Sequence, residues 1–115
     1  MLFLVEIDHV KSGDLPTPEG GRTFIERIIL PTLARADQLV ADKTIVAGGL
    51  AAGRIAPRFI VDVEAATDVD RLLFSLPLWP ISETRVTPLV SFGERRSRAQ
   101  EVLKMLATAV SRESS

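Results

Sequence analysis

Apolar residues along this chain recur at strand spacing, then at helical spacing, then at strand spacing again. The order of those switches leaves few folds open. Leu2 to Val10 is short, apolar and β-prone, and predicts a first strand. Lys11 to Gly21 carries Pro16, Pro18, Gly13, Gly20 and Gly21, and predicts a loop. From Arg22 to Asp42, the residues Ile25, Ile28, Ile29, Leu33, Ala36, Leu39 and Val40 recur at the spacing of one helix face. Glu26, Arg27, Arg35 and Asp37 then turn largely to water. Pro31 either kinks this helix or sits in the first turn of a second one.

Ile45 to Leu50 predicts a second strand, weakened by Gly48 and Gly49. A turn follows from Ala51 to Pro57, and Arg58 to Val63 alternates as a third strand. Thr67 is the expected N-cap of a short helix, with Asp70 three residues on in a near capping box. Val69, Leu72, Leu73 and Leu76 form its apolar stripe, and Pro77 and Pro80 end it. Ser82 to Val90 predicts a fourth strand near a sheet edge, where Pro88 is tolerated. Arg95 to Ser111 predicts an amphipathic helix with Ala99, Val102, Leu103, Leu106 and Val110 on one stripe. The order β-α-β-β-α-β is the split βαβ, ferredoxin-like arrangement of an α+β subunit, here with an extra C-terminal helix. Residues 1–92 are read as that domain, and 93–115 as the helix and a short tail.

Composition removes whole classes of chemistry. The 115 residues fit one domain, and 46% hydrophobic with 25% charged residues is the make-up of a globular core, not of a disordered chain. So short a chain buries a modest share of its surface, and self-association is expected to help it. A net charge of −1 argues against a nucleic-acid partner. The chain has no cysteine, so disulfides, thiolate metal sites and cysteine nucleophiles are excluded. It has one histidine, too few for a multi-histidine metal site within one chain, and no tyrosine to serve as a phenolic acid or base. No cofactor and no metal are expected. Met1 to Val5 is apolar, but Glu6 and Asp8 follow at once, unlike a signal peptide. No stretch approaches the roughly 20 apolar residues of a membrane span. A cytoplasmic location is the default expectation.

Two helices cover one face of a four-stranded sheet, and strand alternation says what faces the other way. Phe3, Val5, Ile7, Phe59, Val61, Val63, Thr84 and Val86 belong under the helices. Leu2, Leu4, Glu6, Asp8, Arg58, Ile60, Asp62, Glu83, Arg85 and Leu89 gather on the open face. That face is solvated, packs on a second copy, or closes with a second copy over a cavity lined by Glu6, Arg58, Glu83 and Arg85.

The run Leu73-Phe74-Ser75-Leu76-Pro77-Leu78-Trp79-Pro80, with a helix before it and a strand after it, resembles the muconolactone isomerase family. The start Met1-Leu2-Phe3-Leu4-Val5 and the stretch Arg58-Phe59-Ile60-Val61-Asp62-Val63 are similar to that family as well. The likeness covers roughly residues 1–90. It implies subunits that pair sheet to sheet as a dimeric α+β barrel, in a homodimer or a larger homo-oligomer. It also implies cofactor-free isomerisation of a small lactone or organic acid. Such a reaction needs a general base and a cationic or hydrogen-bonding group for the enolate oxygen. The second strand departs from the family pattern: Ile45 to Gly53 holds no ionisable side chain where the family carries bulky aromatic and basic residues.

The candidate catalytic residues are His9, Glu6 and Glu83, and the candidate substrate-binding residues are Arg58, Arg85 and Trp79. His9 ends the first strand and is of the residue type that most often shuttles protons; the plainer reading is a surface histidine. A carboxylate in a dry cavity is a competent base and an arginine beside it holds an anion, whereas across strands the same groups neutralise one another. Trp79 is a cavity wall or a staple of its turn. Gly48, Gly49 and Gly53 lack phosphate-loop spacing and read as a bent edge strand. Arg95, Arg96 and Arg98 bind an anion or a neighbour's acidic residues, or form a solvated face, the plainer reading. The alternative to an enzyme is a binding or structural oligomer of the same fold. A heme-handling barrel is a third reading, in which only His9 could ligate iron.

Overall fold

The computed structural model describes residues 1–10 and 17–114. Four strands form one antiparallel sheet in the order β2-β3-β1-β4: β1 Leu2–His9, β2 Ile45–Leu50, β3 Pro57–Asp62 and β4 Ser82–Leu89. Four helical stretches accompany them: α1 Pro18–Phe24, α2 Leu30–Ala41, α3 Ala66–Phe74 and α4 Phe92–Ser114. The α+β, split βαβ topology expected from the sequence is therefore present. Among the described residues, no helix is long and apolar enough to cross a membrane.

The expected loop is shorter than its composition suggests. Residues 11–16 lie outside the described residues, but Pro18 to Gly21 are helical. Thr17 caps α1 by accepting a hydrogen bond from the Gly20 N–H at 3.1 Å, and Pro18 sits in the first turn, where no N–H is needed. Pro31 lies in the first turn of α2. One π-helical turn, Ile25–Ile29, joins α1 to α2, with the Leu30 N–H bonding to the Ile25 carbonyl. This wide turn shifts the apolar stripe. Leu39 and Thr32 are buried and Phe24, Ile28 and Ala36 pack on the core, but Ile25 and Val40 are exposed. The α3 cap lies two residues earlier than expected. Ala65 is the N-cap, and the Asp68 carboxylate accepts from its N–H at 3.0 Å, while Thr67 and Asp70 lie within the helix.

The core sits between one face of the sheet and the helices. Phe3, Val5, Ile7, Phe59 and Val61 point into it from β1 and β3, and Val69, Leu72, Leu73, Leu76 and Leu78 close it from α3 and the turn after it. Thr32 accepts the Leu78 N–H at 3.1 Å and ties that turn to α2. β2 is a bulged edge strand. At Gly48, with φ +130°, a Cβ would stand 2.3 Å from the Arg58 carbonyl oxygen, so only glycine lets β2 approach β3 this closely. The α4 helix packs differently from the others. The stripe of Ala99, Val102, Leu103, Leu106 and Val110 is exposed and lies off the body of the subunit.

Candidate active site on the open face of the sheet

Strand register divides the open face into two halves. Leu2 stands between Asp62 and Leu89, and Leu4 between Ile60 and Thr87, making an end that is apolar except where Asp62 pairs with the Met1 amino group at 3.0 Å. Further along, Glu6 stands between Arg58 and Arg85, and Asp8 stands beside Glu83, making a charged end. The register sets Glu6 between two arginines, whereas Asp8 and Glu83 are like charges side by side, and Asp8 is neutralised from the neighbouring strand by Arg58. The charged end forms a shallow, open depression of about 360 Å³ lined by Glu6, Asp8, Arg58, Glu83, Thr84 and Arg85.

Arg58 organises the cluster. Its guanidinium donates to the Ile7 carbonyl at 2.9 Å, to the Pro57 carbonyl at 3.0 Å and to Asp8 Oδ1 at 2.9 Å. Its Nε lies 3.6 Å from Glu6 Oε2. The Arg54 guanidinium, from the β2–β3 turn, reaches within 3.9 Å of Asp8. The hydrogen bond from Arg58 holds the Asp8 carboxyl below its ordinary value against the opposing effect of burial. The positive charges of Arg58, Arg54 and Arg85 add to the lowering. Arg85 and Glu83 make no side-chain hydrogen bond or ion pair among the described residues, and both are exposed. The face thus offers one engaged arginine, one available arginine, a half-buried glutamate between them and an exposed glutamate at the rim. Among the described residues, no group of acidic or histidine side chains is placed to hold a metal.

Four of the six residues singled out from the sequence, Glu6, Glu83, Arg58 and Arg85, share this depression. The other two lie across the sheet. His9 continues the buried set Phe3, Val5 and Ile7. Its ring lies 5.3 Å from that of Phe24, and its Nδ1 is buried without a hydrogen-bond partner among the described residues, as is Thr84 Oγ1. Trp79 packs on the core and against Phe74, with ring centroids 4.4 Å apart. Asp8 and Arg54 belong to the cluster although neither stood among the candidates. Alternation had already put Asp8 on this face, but nothing in the sequence signals that the turn carrying Arg54 folds over it.

A second depression, an apolar groove of about 200 Å³, lies between α2 and β2, with Leu33, Ala36, Val40, Leu50 and Phe59 among its walls. Its one ionisable side chain is Asp37, and it offers no cation to an anionic substrate.

The sequence profile of the muconolactone delta-isomerase family matches residues 1–95, which takes in every strand and every residue of the charged cluster. The chain belongs to the muconolactone delta-isomerase family. A crystal structure of muconolactone isomerase superposes with a TM-score of 0.63 at 22% sequence identity, covering 79% of this chain and 90% of that one. That likeness establishes a shared fold. A comparison with curated proteins finds no significant match. The family profile stops just inside α4, so most of that helix lies beyond the part of the chain that places it among the muconolactone delta-isomerases.

Proposed function

We propose that this chain is a cofactor-free isomerase that moves a proton on a small lactone or organic acid. The carrying observation is Glu6 held between Arg58 and Arg85 on the open face. Family membership and the shared fold support the reading. A second copy of the chain, packed sheet to sheet, turns the depression into a cavity in which fixed charges act more strongly than in water. Homo-oligomerisation is therefore part of the proposal. The reading also takes the cytoplasm as the protein's location.

The chemistry follows from which donors are free. Arg58 spends its guanidinium on two backbone carbonyls, Asp8 and Glu6, so it positions Glu6. Arg85 is the cation left for the substrate's carboxylate or its carbonyl oxygen. Glu6, or Glu83 at the rim, takes the proton from the carbon next to the carbonyl. The electron pair moves onto the carbonyl oxygen, stabilised by the guanidinium. The same carboxyl returns the proton to another carbon, the double bond shifts, and no atom is gained or lost. His9 and Trp79 take no part in these steps, because the sheet separates them from the cluster.

The test is proton NMR of the purified protein with muconolactone and related unsaturated lactones in D2O. Wild-type protein should turn one of them over. Glu6→Gln or Glu83→Gln, whichever is the base, should lower kcat by ~10²–10⁴, and Arg85→Met should raise KM. Loss of turnover in His9→Ala, with both glutamate variants active, would move the chemistry to the covered face. Wild-type protein inert toward the whole set would favour the second reading, a non-catalytic binding or structural oligomer. That reading has its own support: β2 carries no ionisable side chain, and Arg58 neutralises Asp8 and Glu6.

A further inference from the structure

The geometry points to α4 as an assembly helix that pairs antiparallel with α4 of a second copy of this chain. The helix has 23 residues and is therefore about 34 Å long. It stands away from the sheet and the other helices, and stretches the subunit to 77 × 33 × 24 Å. The radius of gyration is 20.7 Å, against roughly 13 Å for a compact domain of 100 residues. Exposed along it are Phe92 at 97%, Leu103 at 67%, Leu106 at 57% and Val110 at 59%. An isolated helix is marginal in water, and a helix of this composition holds its shape by covering its apolar face.

The spacing of the exposed stripe identifies the partner. Phe92, Arg96, Ala99, Leu103, Leu106, Val110 and Glu113 alternate by four and three residues, the a and d positions of a two-stranded coil. The outward positions Ser97, Glu101, Lys104, Thr108 and Ser111 are polar. On the outer side Arg98 is engaged with Glu101 at 3.0 Å, away from the seam. Charge then selects the direction. A parallel pair stacks Arg96 on Arg96 and Glu113 on Glu113. An antiparallel pair centred between Leu103 and Leu106 sets Leu103 against Leu106, Ala99 against Val110, and Arg96 against Glu113, twice over by symmetry. Of the residues flanking the seam, Val102, Ala107 and Ala109 are small or apolar and Gln100 is uncharged, and Arg95 at the start of the helix brings the one flanking charge. A second copy thus supplies both the apolar complement and the opposite charge, in a contact separate from the sheet face and independent of whether the protein is catalytic.

The absence of cysteine makes a clean test. Full-length Ala99→Cys and Val110→Cys are oxidised alone and as a mixture. The expected product is a disulfide-linked dimer from the mixture and little from either variant alone. Ala99→Cys linking to itself as efficiently as the mixture would overturn the antiparallel pairing. Light scattering gives the second readout. Leu103→Glu/Leu106→Glu should halve the wild-type mass at equal concentration. Arg96→Glu should do the same, and Arg96→Glu/Glu113→Arg should restore the mass. An unchanged mass in the leucine variant would show that α4 lies on its own body or on another partner, and would overturn the proposal.

Discussion

Glu6 and Ile7 are neighbours in the chain, yet they occupy different media. Ile7 is fully buried on the face that β1 turns to the helices, among Phe3, Val5, Phe59 and Val61, and the inward set of β1 stays apolar until His9 ends the strand. Glu6 lies on the opposite face among charges contributed by three strands, with hydrogen bonds that join β3 to β1. One face therefore carries the stability, since burying it removes apolar surface from water. The other carries an arrangement that contributes little to stability, because partly exposed ion pairs do not. A sheet that spends charge on its open face has those groups available for recognition.

The sharpest way to break this contrast is to truncate one residue on each face. Ile7→Ala should cost ~2–5 kcal/mol of unfolding free energy in urea melts, from lost burial and the cavity left behind. Leu4→Ala on the open face should cost well under half as much. Equal losses would mean the open face is as deeply buried in solution as the covered one. Gly48→Ala should cost about 1–3 kcal/mol, because alanine is strained at φ +130° and its methyl group meets the Arg58 carbonyl. A neutral result would show that the β2–β3 approach relaxes freely. Arg58→Met should cost ~1–3 kcal/mol, since it strips donors from the Ile7 and Pro57 carbonyls and leaves two carboxylates facing each other.

The smallest effect is pH-dependent. Asp8 ionises below its ordinary value of 3.8 in the folded chain, so its contribution is present above that value and fades as pH falls through the lower folded one. Acid melts of Asp8→Asn should therefore run below wild type at neutral pH and converge with it below about pH 4. A constant gap down to pH 2 would assign the loss to packing instead of charge.

The faces of β1 and β3 were legible because a period of two leaves only two choices, and a run such as Phe3, Val5, Ile7 decides between them, whereas on the edge strand β4 Val86, expected under the helices, is exposed. Four of the six candidate residues followed from that rule alone. His9 did not. By alternation it belongs with Ile7, but its place at the end of a strand made it look open, and the Phe24 ring that packs beside it comes more than a dozen residues on. The cap at Ala65 escaped because the Asp68 carboxylate accepts from a backbone N–H, which any residue type supplies. The start of α1 hid among glycines and prolines whose average tendency is toward loops, although Thr17 and Pro18 together are a good helix opening. The amphipathic pattern of α4 was plain from sequence. Where its apolar side goes was not, since a periodic stripe says that something covers it and not whether that cover lies in the same molecule.

The two margins of the sheet bear on how copies of this subunit can grow. A sheet with a free margin invites further strands to add without limit, which is the route to fibres. Here β2 is bulged and drawn tightly toward β3 at Gly48, and β4 carries Pro88, which has no N–H to offer an incoming strand. Neither margin presents the even row of donors and acceptors that templating requires. Strand addition at either margin is therefore disfavoured, and a concentrated solution of the protein should resist growth into fibres by edge-to-edge pairing.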